Sequence, residues 1–318
     1  MVDTYGREIY YLRLSVTDRC NLRCRYCMPA EGVCKKRHEE MLTEDEMVMA
    51  VEVAASLGIR KLRLTGGEPL VKKNILSICE RCAAVEGIGE VCMTTNGILL
   101  PKMAKDLKGV GVDRLNISLD TLNGEKYTRI TRVGVLDDAL RGIEAALEAG
   151  FTRLKINAVL MGGVNDDEIP ALAELSRRYD ADVRFIELMP MTVNEDVGAS
   201  AYLSGDAVLA ALPELLPEER ESDGVARLYR LPNAKGNVGI ISAVSRHFCA
   251  SCNRIRLTAD GKLKPCLHSE KEYSIKGLDC EGIRREMMRV VQEKPACHPP
   301  LSALERSNAG RNMNQIGG

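Results

Sequence analysis

Three cysteines, Cys20, Cys24 and Cys27, stand within eight residues in the pattern C-x3-C-x2-C. Three thiolates that close can hold a four-iron cluster and leave one iron without a protein ligand, a place where chemistry can occur. A closed zinc site asks for four ligands, usually as paired C-x2-C units, which this spacing is not. Cys34 could add a fourth thiolate, but it stands seven residues past Cys27 in a charged loop, CKKRH at 34–38. A second triplet lies far along the chain: Cys249, Cys252 and Cys266, C-x2-C-x13-C. There His247 or His268 could complete a Cys3His zinc site, and spacing alone leaves zinc and an iron–sulfur cluster evenly matched. Arg254 and Arg256 beside Cys252 favour a substrate-contacting site over a structural clip.

The remaining six of the twelve cysteines (Cys34, Cys79, Cys82, Cys92, Cys280, Cys297) are scattered and read as small core residues or surface thiols. Cys79 and Cys82, three apart in a helical pattern, read as packing on one helix face. The N-terminal stretch lacks the apolar segment of a signal peptide, and no run approaches membrane-spanning length. A cytoplasmic protein follows, whose cysteines bind metal rather than form disulfides. A formal net charge of −1 supplies no field for nucleic acid or a membrane surface.

The elements that must position the cysteines alternate from residue 10 to about 188. Apolar β-rich runs fall at 12–16, 61–65, 90–94, 114–118, 154–160 and 182–188, with helical patterns between them. The first helix spans 44–57, opened by a Thr43/Glu46 capping box. Another, at 137–149, places Leu136, Leu140, Ile143 and Leu147 on one face. Six strand–helix units in series predict an α/β fold with a parallel sheet and right-handed crossovers, an incomplete (β/α)6 TIM-like barrel. An open doubly wound sheet is the alternative. Alternation stops near Pro190, so a first domain spans 1–190 and a smaller α+β module 191–318. That module begins with a connector (191–205) and a short helix (206–212). Strands follow at 226–231, 238–242 and 254–258, then an Asp260-Gly261 turn, a helix at 280–293 and an exposed polar tail, RNMNQIGG.

Active sites of parallel α/β folds lie at the carboxyl ends of the strands. Those ends carry the cysteine loop, Thr65-Gly66-Gly67-Glu68-Pro69, Thr94-Thr95-Asn96-Gly97, Ser118-Leu119-Asp120 and Glu187-Leu188-Met189-Pro190. Together they predict a single site at one rim. Basic residues also alternate with apolar ones inside the strands: Arg13, Lys61, Arg63, Lys155, Arg184, Arg254 and Arg256. Period-2 geometry puts them opposite the apolar set, facing the barrel interior. Few acidic residues share those positions, so an anionic ligand is the natural partner.

Through Cys20-x3-Cys24-x2-Cys27 with Tyr26, and through Gly66-Gly67-Glu68-Pro69, the chain resembles the radical S-adenosylmethionine (SAM) superfamily. The second triplet with Asn253-Arg254-Ile255-Arg256, and the terminal Gly317-Gly318, resemble its GTP 3′,8-cyclase family over essentially the whole chain. That family takes the first step of molybdenum cofactor (molybdopterin) biosynthesis, a lyase reaction. The resemblance implies two [4Fe–4S] clusters, one on Cys20, Cys24 and Cys27, the other on Cys249, Cys252 and Cys266. The first would bind SAM, contacted by Tyr26, Gly67, Ser118 and Met189; its reduction would yield a 5′-deoxyadenosyl radical. That radical would take the 3′ hydrogen of GTP, and C3′ would join C8 to give (8S)-3′,8-cyclo-7,8-dihydroguanosine 5′-triphosphate. Arg13, Arg63, Thr94, Lys155, Arg254, Ile255 and Arg256 match GTP contacts, with the second cluster holding the guanine edge. Arg13, Lys61, Arg63 and Arg184 would serve catalysis, with Gly317 and Gly318 reaching into the site on a flexible tail. Implied partners are a low-potential donor such as flavodoxin or ferredoxin, and cyclic pyranopterin monophosphate synthase downstream, with a monomer or homodimer as the assembly. The rival enzyme is a radical SAM peptide-modifying protein with an auxiliary cluster, disfavoured by the buried basic set. A metal-binding regulatory module is the non-enzyme rival.

Overall fold

Six parallel strands follow one another in chain order: β1 (Tyr11–Ser15), β2 (Lys61–Thr65), β3 (Glu90–Thr95), β4 (Arg114–Ser118), β5 (Leu154–Leu160) and β6 (Ala181–Glu187). Each lies within one residue of the run that alternation predicts. The structure is a computed structural model describing residues 1–34, 36–191, 201–218, 225–302 and 306–317. Between the strands run helices α1 (Glu44–Ser56), α2 (Ile75–Ala83), α3 (Leu100–Gly109), α4 (Gly124–Thr131) and α5 (Leu136–Glu148). Two short turns, α6 (Ile169–Ala173) and α7 (Leu175–Arg178), precede β6. Thr43 and Glu46 cap α1 reciprocally, Glu46 N–H donating to Thr43 Oγ1 at 3.2 Å and Thr43 N–H to Glu46 Oε2 at 2.8 Å.

Among the described residues the strands do not close on themselves. The C-terminal segment instead extends both edges of the same sheet. After α8 (Asp206–Ala211) come β7 (Leu216–Pro217), β8 (Arg227–Arg230) and β9 (Val238–Ile241); β9 pairs parallel with β6. β10 (Arg254–Leu257) pairs parallel with β1, and β11 (Lys262–Lys264) and β12 (Tyr273–Ser274) continue antiparallel beyond it. Among the described residues the result is one twelve-stranded sheet, an incomplete barrel of six parallel strands with strands added at both edges. α9 (Cys280–Gln292) packs outside β11 and β12 and against α1. α10 (Met313–Ile316) ends the described chain. Most of the connector expected at 191–205 lies outside the described residues.

Period 2 sorts the sheet into two faces. Leu12, Leu14, Leu62, Leu64, Met93, Leu115, Ile117, Ile156 and Phe185 join the helices in one continuous apolar core. Cys79 and Cys82 belong to it, as their helical spacing predicts, whereas Cys34, Cys280 and Cys297 are exposed. On α5 the buried face differs from the one the leucines suggest. Ala139, Gly142, Ile143 and Ala146 point inward, and Leu140 and Leu147 flank them half-buried. The reason is close approach: a Cβ on Gly142 would lie 2.1 Å from the Gly97 carbonyl oxygen, so small residues face the turn after β3.

Candidate active site

β1 delivers the chain into the first triplet. A single turn orders it, Cys27 N–H donating to the Cys24 carbonyl at 2.9 Å and Leu22 N–H to Cys20 Sγ at 3.3 Å. Gly66 and Gly67 hold that loop rather than standing free of it. A Cβ on Gly66 would lie 2.4 Å from the Thr17 oxygen, and one on Gly67 2.4 Å from the Arg19 oxygen, so only glycine lets the two loops interlock. Glu68 locks the arrangement, accepting from Thr95 Oγ1 (2.7 Å), Asn96 N–H (2.7 Å) and Leu70 N–H (3.0 Å). Tyr26 donates to Asp120 Oδ2 at 2.7 Å, and Val159 N–H holds the other Asp120 oxygen at 2.9 Å. Burial pushes the thiols up, Cys20 to about 11 and Cys27 to about 12. Cys24 also rises well above its ordinary value, from burial and then from Cys27 and Asp120.

The second triplet sits at the opposite end of the strands from the first. β10 runs parallel to β1, so Cys252, just before it, lies at the amino ends. The β10–β11 hairpin folds back and returns Cys266 to the same end, which explains the thirteen-residue gap. Cys249 and Cys252 share a 3-10 turn, Cys252 N–H donating to the Cys249 carbonyl at 3.1 Å. Arg7 braces it by donating to the Cys249 carbonyl at 2.7 Å while paired with Asp3 at 2.6 Å. Lys294, almost fully buried, donates to the carbonyls of Pro265 (2.7 Å) and Arg254 (3.0 Å). Burial would raise Cys252, but Lys294 and Arg254 outweigh it and hold the thiol down at about 7. His268, offered by the sequence as a zinc ligand, shares a hydrogen bond with Ser307 Oγ at 2.8 Å, and His247 with His298 at 3.1 Å. Among the described residues no three His, Cys, Asp or Glu side chains are placed to hold a single metal ion. A four-iron cluster takes one thiolate per iron instead.

Between the triplets the inner face is basic. Arg256, Arg13 and Arg63 are side-by-side partners on three adjacent parallel strands. Like charges so placed repel and call for a counter-charge. Burial, then Arg256, pulls Arg13 well below its ordinary value, and burial, then Arg254, lowers Arg256 to about 10. One rung lower, Tyr11 lies between Arg254 and Lys61, and its hydroxyl takes a short hydrogen bond from Arg63. A cavity of about 350 Å³ runs between the ends and is lined by all six cysteines of both triplets. Asn116 Oδ1, Asn157 Oδ1 and Arg254 Nε are buried there without a hydrogen-bond partner among the described residues, groups that a polar ligand would satisfy.

A sequence profile of the radical SAM superfamily matches residues 14–176, and one described as molybdenum cofactor synthesis C matches residues 181–299. The GTP 3′,8-cyclase of Alkaliphilus oremlandii is 46% identical over 324 residues, covering 100% of both chains. Those of Heliobacterium modesticaldum (45% over 328 residues) and Pelotomaculum thermopropionicum (46% over 325 residues) also match across 100% of both chains. The chain belongs to the GTP 3′,8-cyclase family of radical SAM proteins. Among solved structures, Streptococcus suis SuiB bound to precursor peptide SuiA aligns with a TM-score of 0.67 at 14% identity, covering 92% of this chain and 66% of SuiB. That likeness concerns the fold alone. The peptide-modifying alternative draws no support from the curated relatives.

The residues that the GTP 3′,8-cyclase resemblance singles out are not all equally placed. Arg13, Tyr26, Lys61, Arg63, Gly67, Thr94, Ser118, Arg184, Met189, Arg254 and Arg256 line the cavity. Ile255 does not: its side chain is fully buried in the apolar core, so only its main chain is available to a ligand. Lys155 is buried beside Asn116 but outside the lining set. Lys61 already pairs with Glu90 at 2.8 Å, and Glu90 also pairs with Arg114 at 2.7 Å, an acidic partner that the alternation argument overlooked. Glu187 is fully buried and ties the end of β6 to Gly205, Val244 and Ser245 through N–H donors at 2.8 Å. Gly317 is tucked against Thr65 and Ser15, and Arg256 Nη1 donates to its carbonyl at 2.5 Å. Gly318 lies outside the described residues. The tail is not exposed as its composition suggests, since Asn314 and Ile316 are buried. Sequence reading missed Tyr11, Lys294, Arg7 and the two orphaned asparagines. Tyr11 carries no charge to mark it among the basic strand residues, and a lone lysine after a helix carries no signal.

Proposed function

We propose that the chain is a GTP 3′,8-cyclase that converts GTP to (8S)-3′,8-cyclo-7,8-dihydroguanosine 5′-triphosphate, the first step of molybdenum cofactor biosynthesis. One observation carries the reading: a single cavity bounded by a thiol triplet at each end and lined by the Arg256–Arg13–Arg63 rung between them. Cys20, Cys24 and Cys27 would hold one [4Fe–4S] cluster, and Cys249, Cys252 and Cys266 the other. When bound, the first cluster with SAM supplies the 5′-deoxyadenosyl radical that takes the 3′ hydrogen of GTP.

The chain's own residues then have distinct tasks. Gly67 has already committed its N–H to the Thr17 carbonyl at 2.8 Å, so it meets SAM through its carbonyl. Tyr26, pinned by Asp120, presents its ring, with Ser118 and Met189 on the same wall. Arg13, Arg63 and Arg256 neutralise the triphosphate, and their mutual repulsion is relieved when it binds. Arg254 and Lys294 place positive charge beside the second triplet, which suits an anionic nucleotide there. Asn116 and Asn157 offer acceptors to donors on the ligand. Lys61 and Arg184 line the pocket, and the family resemblance gives Gly317 and Gly318 a part in catalysis.

The cytoplasm, a flavodoxin or ferredoxin donor, and transfer of product to cyclic pyranopterin monophosphate synthase belong to the same reading. Among the described residues no helix is long and apolar enough to cross a membrane. Anaerobically reconstituted protein given SAM, GTP and a reductant should release 5′-deoxyadenosine in a GTP-dependent manner and contain about eight irons and eight sulfides per chain. Deoxyadenosine release indifferent to GTP would overturn the substrate; zinc without sulfide would overturn the chemistry.

A further inference from the structure

The tail that carries Gly317 is tied down where it enters the site by charges that the reaction does not use. Arg311 Nε and Nη2 donate to the two oxygens of Glu272 at 2.6 Å each, and Nη1 reaches both oxygens of Asp260 at 3.0 Å. Asp260 also takes Thr258 Oγ1 at 2.5 Å and a short contact from Lys36. Glu272 also takes Lys264 Nζ at 3.1 Å, and the same ammonium donates to the tail carbonyl of Ala309 at 3.3 Å. Three segments therefore meet at two carboxylates. They are the charged loop after the first triplet, the β10–β12 turns of the C-terminal module, and the tail.

Exposed ion pairs are worth little, because water screens them and ordering two long side chains costs entropy. This one is different. The Arg311 and Asp260 side chains are only 14% and 9% exposed, and the guanidinium fork engages two carboxylates at once. Something has to hold the tail, since a four-residue helix does not form alone and chain ends fray. Past Arg311, the reciprocal Asn312/Gln315 cap starts α10, Asn314 Nδ2 donates to the Asp18 carbonyl at 2.8 Å, and Ile316 packs with Met191 and Ala309. Gly317, at φ 82°, then presents its carbonyl to Arg256. These contacts follow within six residues of the point where Arg311 fixes the chain.

We propose that Arg311 is a positioning residue and that Asp260, Glu272 and Lys36 complete a latch. The latch seats the C-terminal tail against Arg256 and couples that seating to the loop following Cys27. The effect on turnover rests on the cyclase reading; the seating does not. The loop at 34–38, which matches no motif, thereby gains a task.

The test uses the full-length, cluster-loaded protein. In Arg311→Gln, amide exchange across 312–317 should quicken about tenfold or more, with exchange in β1–β6 unchanged. Product formation from GTP should fall by about the same factor, and deoxyadenosine released per product should rise. Arg311→Lys, which keeps the charge without the fork, should fall between. Asp260→Asn should loosen both the tail and residues 36–41, whereas Glu272→Gln should loosen the tail alone. Unchanged tail exchange in Arg311→Gln overturns the proposal, as does loosening spread evenly over the sheet. If the unsubstituted protein makes no product from GTP, the cyclase reading fails while the exchange data still decide the latch.

Discussion

The two cysteine triplets offer the same donors in opposite electrical surroundings. At the carboxyl ends of the strands, Cys20, Cys24 and Cys27 are buried, with Asp120, Glu68 and one cation, Arg23, as charged neighbours, and burial pushes Cys20 and Cys27 up to about 11 and 12. At the amino ends, Lys294 and Arg254 overcome the burial of Cys252 and hold it at about 7, while burial raises Cys266. A site ringed by negative groups favours a cationic ligand, and SAM is a sulfonium with an ammonium. A site ringed by positive groups favours an anion such as a nucleoside triphosphate. That contrast is in keeping with the proposed placement of SAM at one end of the cavity and GTP at the other.

The sharpest way to break this contrast is to remove one triplet at a time. Cys24→Ala should lower SAM cleavage by about a hundredfold or more while about four irons per chain persist at the other site. Retained cleavage would falsify the assignment of the first triplet. Cys266→Ala should do the reverse: deoxyadenosine still forms, cyclised product does not, and product from this variant would show that the second triplet does not place GTP. A milder probe keeps every thiol. Lys294→Met removes the cation beside Cys252, so in metal-free protein at neutral pH its alkylation, followed by peptide mapping, should slow about five- to tenfold while Cys27 is unaffected. Equal slowing at both sites would mean that the field is not local. Deleting Gly317 and Gly318 should cut turnover about tenfold with the melting temperature nearly unchanged, because the buried anchor Ile316 remains. The smallest effect concerns Asp260, which Lys36, Thr258 and Arg311 pull down to about 2 against its burial. Its contribution is complete above the ordinary carboxylate value near 3.8 and disappears as pH falls through about 2. Tail protection should therefore be flat from pH 8 to about 5, and a loss centred near pH 6 would exclude the carboxylate as its cause.

Much of this was legible before any coordinates. The Thr43/Glu46 cap is local chemistry, and so is the alternation of Arg13 and Arg63 with leucines, because a strand's two faces are fixed by its own period. Cys20, Cys24 and Cys27 converge within one turn of chain. Where sequence reading failed, the deciding contact was made by something other than the residue's size or type. Leu140 and Leu147 look like a core face, yet Gly142 packs closest because a backbone carbonyl stands 2.1 Å from where its Cβ would be. Ile255 stands between two cavity-lining arginines, and the same period that turns Arg254 and Arg256 inward turns its side chain into the core, which leaves its main chain for a ligand.

By itself, then, the sequence determined the strands, their two faces and the two sets of thiols, since spacing and periodicity act over a few residues. Only the tertiary structure decided that β10 lies beside β1 and β9 beside β6, which sends the second triplet to the far end of the cavity and lines up Arg256 with Arg13 and Arg63. Strand pairing between distant segments depends on which edges remain open once the first six strands have formed. No local pattern records that, nor that a polar-looking tail would be drawn inward by an arginine held between two carboxylates.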